Sequence, residues 1–369
     1  MNICVCGGGN IAHVLVGLTH NKPDINISLL TRSPEKWADT VHVSFENENR
    51  AYTGHLNKVS NDPKDVIPNA DIILVTVPSF ARQTLLDDIR PYITKGTWIG
   101  AIPGIGGFYW RAMKTLENTG ANVFSMRKSL YMCRIKEPGK SANVWWRRPN
   151  LHLYGSEDTE ELIKTLGYFF EVPVEKLTSI FEIELNFSNP ILHTARLFRE
   201  FYDYKKGKTW VAPSDFYSDW DEMTTEYYVA MDNEVKNIID VLPYPFPTRE
   251  TVMEYYSTLY SKPISSIADL AHAIRKHTAG VGSLVPMIKS EKGYIPDISS
   301  RYFLEDFPHG LVLIKGIAAI AEVESPTIDM IISWGQKMLA KEYIVNGKLI
   351  GKDLHETSIP QNFGIHTLI

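Results

Sequence analysis

The chain has 369 residues, 44% of them hydrophobic, and a formal net charge of -5. That is enough apolar side chain for a sizeable core and enough length for two domains. The acidic balance excludes a general nucleic-acid binder, and no run of about 18 apolar residues marks a membrane span. Of the three cysteines, Cys4 and Cys6 stand two apart on one short apolar run, beyond disulfide geometry, so a reducing, cytoplasmic setting is expected.

Residues 3–6 are a short apolar run with β-branched members, followed by Gly7-Gly8-Gly9 and then by Ile11, Val14, Leu15 and Leu18 at helical spacing. The spacing predicts strand, tight turn and helix. Gly7, Gly9 and Ala12 fit the G-x-G-x-x-G/A pattern: the glycines let a phosphate approach the backbone, the helix N-terminus faces it, and Ala12 allows close helix-to-strand packing. Gly7, Gly9, Asn10, Ile11 and Ala12 are therefore candidate dinucleotide contacts. A second strand over residues 25–30 ends at Thr31-Arg32-Ser33, where a fold selective for NAD would carry an acid for the ribose diol. Arg32 and the two hydroxyls suit an added phosphate instead, so NADPH is the expected cofactor, with NADH possible. The plainer alternative is that Arg32 points to solvent.

Residues 71–77 form a nearly continuous apolar run, as expected of a parallel strand covered on both faces, and stop at Pro78-Ser79. A helix over residues 81–92 leads to a strand over 97–102, ended by Pro103-Gly104. Strand ends of this kind line the ligand crevice of a doubly wound sheet, which adds Pro78 to the cofactor candidates. Residues 124–129, 131–135 and 143–153 read as strands extending that sheet, and 160–169 as a helix. The one basic patch of note, Arg147-Arg148 beside Trp145-Trp146, reads as a solvated edge or an aromatic packing face.

Texture changes near Ser179, where strand runs give way to long helical patterns at 181–201, 222–242, 249–260 and 264–277. The expected division is residues 1–178 as a nucleotide-binding domain and 179–369 as a helical one. Between the helices lie aromatic, Pro-rich connections at 210–220 and 243–247, and residues 280–300 read as a long loop. Pro308 suits the first turn of a helix through residue 320, Ser325-Pro326 opens another, and 343–350 carries a hairpin signal.

The second half must supply acid/base chemistry. His193 shares a helix face with Asn189 at i and i+4, although a core or surface histidine is the ordinary reading of such a residue. Residues 301–310 pack Arg301, Glu305, Asp306 and His309 into the entry of an apolar helix; locally, Asp306 reads as a helix cap and Arg301 as its surface partner. Metal-ligand spacings are absent, and Gly207-Lys208-Thr209 lacks the earlier glycine of a P-loop.

Taken together, the Gly-rich opening, Cys133-Arg134-Ile135-Lys136, the stretch from Asn189 to His193, that from Arg301 to Gly310, and Gly351-Lys352-Asp353 resemble the octopine/opine dehydrogenase family along nearly the whole chain. The resemblance departs at Thr194, where members often carry proline. It implies a Rossmann domain followed by an all-helical domain like the C-terminal one of 6-phosphogluconate dehydrogenases. It further implies a monomer or homodimer that joins an amino acid to a 2-oxo acid such as pyruvate and reduces the product with a nicotinamide cofactor. In such enzymes a histidine and an aspartate form the acid/base pair, matched here by His193 and Asp306. An arginine holds the keto-acid carboxylate, matched by Arg301, with Cys133 and Asn189 on the substrate side. A reductase of the 6-phosphogluconate, glycerol-3-phosphate or ketopantoate type, leaning on a lysine, shares the layout. A module that senses NADP without turning it over is the remaining alternative.

Overall fold

The computed structural model describes residues 1–156, 158–186, 189–246, 250–276 and 282–368. Of the expected segments, residues 187–188 of the first long helix, 247 and 280–281 of the connections, and the helix-end positions 249 and 277 lie outside the described residues. The chain divides into two units, Met1–Glu184 and Leu185–Ile369.

In chain order, the first unit begins β1 (Asn2–Cys6), α1 (Asn10–Gly17), β2 (Asn26–Leu30), β3 (Thr40–Phe45), β4 (Arg50–His55), β5 (Lys58–Ser60) and β6 (Ile72–Val75). It continues with α2 (Arg82–Ile89), β7 (Trp98–Ala101), α3 (Phe108–Thr115), β8 (Asn122–Met126), β9 (Tyr131–Glu137), β10 (Ser141–Arg147) and β11 (Leu151–Gly155). The last elements are α4 (Glu160–Phe170), β12 (Val174–Lys176) and α5 (Phe181–Glu184). The main sheet has the order β12-β11-β8-β7-β6-β1-β2-β5. Its neighbours from β8 through β5 run parallel, and β11 turns antiparallel to β8. Successive residues of β1 enter opposite apolar layers: Ile3 and Val5 join α1 and α4, whereas Cys4 and Cys6 join α2 and α3. Both faces are dry, which is why the strand reads as one apolar run and why its cysteines are buried free thiols.

One expectation is corrected. β9 and β10 do not extend the main sheet; they form a second sheet of order β4-β3-β10-β9, and of residues 143–153 only β11 joins the first. Alternation identified strand material but not its partner. β3 buries Val41, Val43 and Phe45 between exposed neighbours, and that face covers α1. The approach is close: a Cβ on Gly54 would stand 1.8 Å from the Val16 carbonyl oxygen.

The second unit contains α6 (Asn189–Phe201), α7 (Glu222–Asp240), α8 (Val252–Tyr260), α9 (Ile267–Arg275), the hairpin β13 (Met287–Ser290) and β14 (Gly293–Pro296), then α10 (Arg301–Leu304), α11 (Val312–Ile320) and α12 (Pro326–Met338). The hairpin lies in the stretch expected to be loop; its Ser, Lys and Gly content hides a short, half-exposed strand pair. The helix expected to begin at Pro308 is preceded by a single π-turn, Phe307–Leu311, in which the Leu311 amide donates to the Asp306 carbonyl at 2.8 Å. Pro308 fits because the first turn of a helix leaves its amides without helical acceptors. Phe307 packs on Phe303 and Trp334, and Gly335 leaves room for its ring. No helix among the described residues is long and apolar enough to cross a membrane.

Candidate active site

The first unit offers a dinucleotide turn built as its sequence requires. Gly7 sits at φ +126°, and a Cβ there would stand 2.5 Å from the Thr76 hydroxyl, so only glycine closes the turn. Gly9 precedes α1 with no atom within 4 Å of where its Cβ would be, which leaves the amide end of the helix open to an anion. Ala12 is fully buried, as close helix-to-sheet packing demands. Because β2 and β6 flank β1 on opposite sides, the strand order reverses beside β1, and ligands bind outside the strand ends at such a point. Pro78 follows β6 at that end, half-buried, and Thr31 and Ser33 follow β2, also half-buried, with Arg32 exposed between them. Among the described residues Arg32 has no ion-pair partner, and no carboxylate stands within the 31–33 segment.

Two side chains of α1 turn away from the opening. The Asn10 carboxamide oxygen accepts from the Ile135 amide at 2.9 Å. His13, wholly buried, meets the Gly9 carbonyl through Nδ1 at 2.9 Å and accepts from the Gly139 amide at Nε2 at 2.7 Å. With one nitrogen donating and the other accepting, the ring is neutral, and burial lowers its pKa accordingly. Asn10 and His13 thus tie the β9–β10 hairpin to the turn, a role that composition gave no means of seeing. Cys133 faces the same apolar layer, buried, with its thiol pushed up to about 12 by desolvation.

In the second unit the structure brings His193 and Asp306 together across 113 residues, with Nδ1 2.8 Å from Oδ2. α6 presents His193 one turn after Asn189, which is exposed at the start of the helix. Asp306 makes no side-chain cap for the turn that follows it, so the capping alternative gives way to the histidine. Burial raises the Asp306 carboxyl above the usual carboxylate range, and the adjacent imidazole opposes that shift. The ring is boxed by Tyr302 at 4.5 Å and Phe216 at 5.4 Å between centroids, both edge-on. Among the described residues nothing bonds its Nε2. An imidazole so held, with Nδ1–H given to a carboxylate, keeps Nε2 for exchanging a proton with a bound molecule.

Arg301 lies five positions before Asp306 but points to the surface, 68% exposed in its side chain and paired with Glu305 at 2.6 Å. The aromatic pair Phe216 and Tyr302 is less visible in sequence, since core packing is the ordinary reading of both.

Residues 176–339 match the family described as NAD/NADP octopine/nopaline dehydrogenase, alpha-helical domain. The chain is 30% identical to an octopine dehydrogenase of Pecten maximus, covering 100% of this chain and 98% of that one. It is also 30% identical to a tauropine dehydrogenase of Arabella iricolor, covering 99% and 98%. Among solved structures, an octopine dehydrogenase with NADH and L-arginine superposes with a TM-score of 0.87 at 28% identity, over 100% of this chain and 96% of that one.

Proposed function

The chain belongs to the octopine/opine dehydrogenase family, and on that premise we propose that His193 and Asp306 carry the proton transfers of its reaction. The protein is an NAD(P)-dependent opine dehydrogenase: it condenses the amine of an amino acid with a 2-oxo acid and reduces the resulting imine. The observation that carries the proton assignment is the 2.8 Å bond between His193 Nδ1 and Asp306 Oδ2 inside an aromatic box. His193 Nε2 accepts a proton from the incoming ammonium, freeing its lone pair for attack on the carbonyl carbon. The same nitrogen returns that proton to the carbinolamine hydroxyl, which leaves as water and yields the protonated imine. Asp306 keeps Nδ1 protonated and stabilises the imidazolium between the two steps. Bound nicotinamide supplies the hydride that reduces the imine carbon.

Arg301 is the proposed holder of the 2-oxo acid carboxylate. Its side chain, 68% exposed, is ion-paired with Glu305 alone among the described residues, and a substrate carboxylate offers the same charge-assisted geometry in exchange. Arg301→Met is expected to raise KM for the 2-oxo acid by about tenfold or more with KM for the amino acid nearly unchanged. Equal rises in both would remove it from this role.

NADPH is the proposed cofactor, because Arg32 is an exposed cation without an ion-pair partner among the described residues, between two hydroxyls, and no acid stands within residues 31–33 to repel a phosphate. The deciding assay is oxidation of NADPH and of NADH with pyruvate and a panel of neutral, acidic and basic amino acids. Amine-dependent oxidation, faster with NADPH, is the expected result. Oxidation without amine supports the ketopantoate-type reading, binding without oxidation a sensor, and preference for NADH overturns the role of Arg32.

A further inference from the structure

We propose that Glu184 is a positioning residue for this reaction: as a carboxylate it grips the backbone amides of Gly106 and Gly107 and so sets the loop that follows β7 at the cofactor end of the sheet. Its Oε2 accepts from the Gly106 amide at 2.8 Å and its Oε1 from the Gly107 amide at 3.0 Å. The residue is buried at the end of α5. Both glycines lie in the left-handed region, at φ +83° and +73°, the backbone that turns two successive amides toward one acceptor. Gly107 also caps α3, so the carboxylate meets the positive end of that helix.

The same loop is held from its other side. Arg82 of α2 donates to the Pro103 carbonyl at 2.9 Å, to the Ile105 carbonyl, and to the Val77 carbonyl at 3.4 Å, joining the segments that follow β6 and β7. Gly104 is pressed on β8, with its amide 2.6 Å from the Met126 carbonyl, and a Cβ would stand 2.7 Å from Ser125. Carbonyls gripped by a cation and amides gripped by an anion leave the loop one conformation. It follows the strand beside β6 and β1, where the crevice for the cofactor opens. That makes loop geometry a matter of cofactor fit.

The grip depends on a proton. Two amides satisfy an ionised carboxylate at both oxygens; a proton on either oxygen leaves a neutral carboxyl whose hydroxyl oxygen is a weak acceptor, and the charge that strengthens both bonds is lost. Burial pushes Glu184 up to about 7, against the two amides and Arg82, which favour the charged form. Arg82 is the charge that faces it. Glu182 of α5 turns instead to Thr178 and Ser179, and Arg111 of α3 donates to Gln83. A carboxyl raised above its ordinary value stays protonated through mild acid and ionises as pH rises through neutrality, so the loop is gripped above that point and loosened below it. Cofactor that prefers the gripped loop then binds more tightly at higher pH, by about three- to tenfold across the transition.

The inference rests on the dehydrogenase reading for its meaning, yet its test needs no amino acid or 2-oxo acid. The dissociation constants of NADPH and NADH are measured by nucleotide fluorescence from pH 5.5 to 8.5 on the full-length protein and on Glu184→Gln. The wild-type protein is expected to bind the tighter nucleotide three- to tenfold more weakly at the acid end, with Glu184→Gln pH-independent at the weak value. As a second measurement, the Gly106 and Gly107 amide resonances of glycine-labelled wild-type protein should move together on one titration curve in the neutral range. A role confined to stability would leave the binding profile of Glu184→Gln parallel to wild type, and that result, or two resonances that do not move, overturns the proposal. Loss of opine formation with both titrations intact would count against the dehydrogenase reading alone.

Discussion

Replacing His193 by alanine is expected to lower kcat/KM for amine-dependent oxidation of the cofactor by about a thousandfold, with cofactor affinity changed by less than about twofold. A thousandfold is roughly 4 kcal/mol of transition-state stabilisation, within reach of one acid/base group that acts in two steps. Asp306→Asn is expected to cost nearly as much, because a carboxamide can offer Nδ1 an N–H and favour the tautomer whose Nε2 already carries the proton. The two effects should not add, since the residues act as one unit through the 2.8 Å bond between them. Removing His193 also leaves Asp306 buried without its partner. Burial already raises that carboxyl, so the alanine variant should keep it protonated to a higher pH than in wild type and lose about 1–3 kcal/mol of stability. In wild type, a fall in pH that protonates Asp306 takes away the negative charge that steadies the imidazolium, and activity should fall with it. Steady-state kinetics on variants whose circular dichroism matches wild type test the pair; Asp306→Asn within about tenfold of wild type would sink it.

What the sequence discloses and what it hides differ by the range of the interaction. The turn at Gly7 to Ala12 is legible because strand, glycines and helix are consecutive and each residue type has a local reason to be there. β1 and β6 are legible for the same cause, since a strand buried on both faces is apolar at every position. The partner of β10 is not, because alternation reports a half-buried strand and says nothing of which sheet receives it. His193 and Asp306 stand out in the sequence only through family likeness, and only folding brings α6 to the π-turn at Phe307–Leu311. Glu184 gave no signal of its own. In residues 181–185 it is one of two glutamates, with Glu182, that alternate with Phe181, Ile183 and Leu185, and a glutamate so placed ordinarily faces water. Its burial follows from a non-local need, two glycine amides 77 and 78 residues away that face inward and require an anion.

Gly310→Ala should damage both stability and turnover, although alanine is ordinarily the better helix residue by about 1 kcal/mol. The reason is the approach of the π-turn to α6. A Cβ at Gly310 would stand 2.6 Å from Pro190 Cγ and 2.7 Å from Pro190 Cβ, distances that real side chains do not tolerate. Pro190 cannot swing aside as a long chain would, because its ring is stiff and its carbonyl accepts from the Thr194 hydroxyl at 2.6 Å. Relief must come from moving the first turn of α6 away from the π-turn. His193 rides on the former and Asp306 adjoins the latter, so their bond is what the movement strains. Overpacking of this kind costs about 1–3 kcal/mol, more than propensity returns. A displacement near 1 Å at the proton-transfer pair is worth on the order of a hundredfold in kcat. Thermal unfolding and steady-state kinetics of Gly310→Ala check both numbers, and the double variant with Pro190→Gly separates their cause. Removing both Cβ and Cγ of residue 190 restores the space, so turnover should recover in the double variant to within about tenfold of Pro190→Gly alone. Wild-type turnover in Gly310→Ala would mean that the contact does not govern the pair.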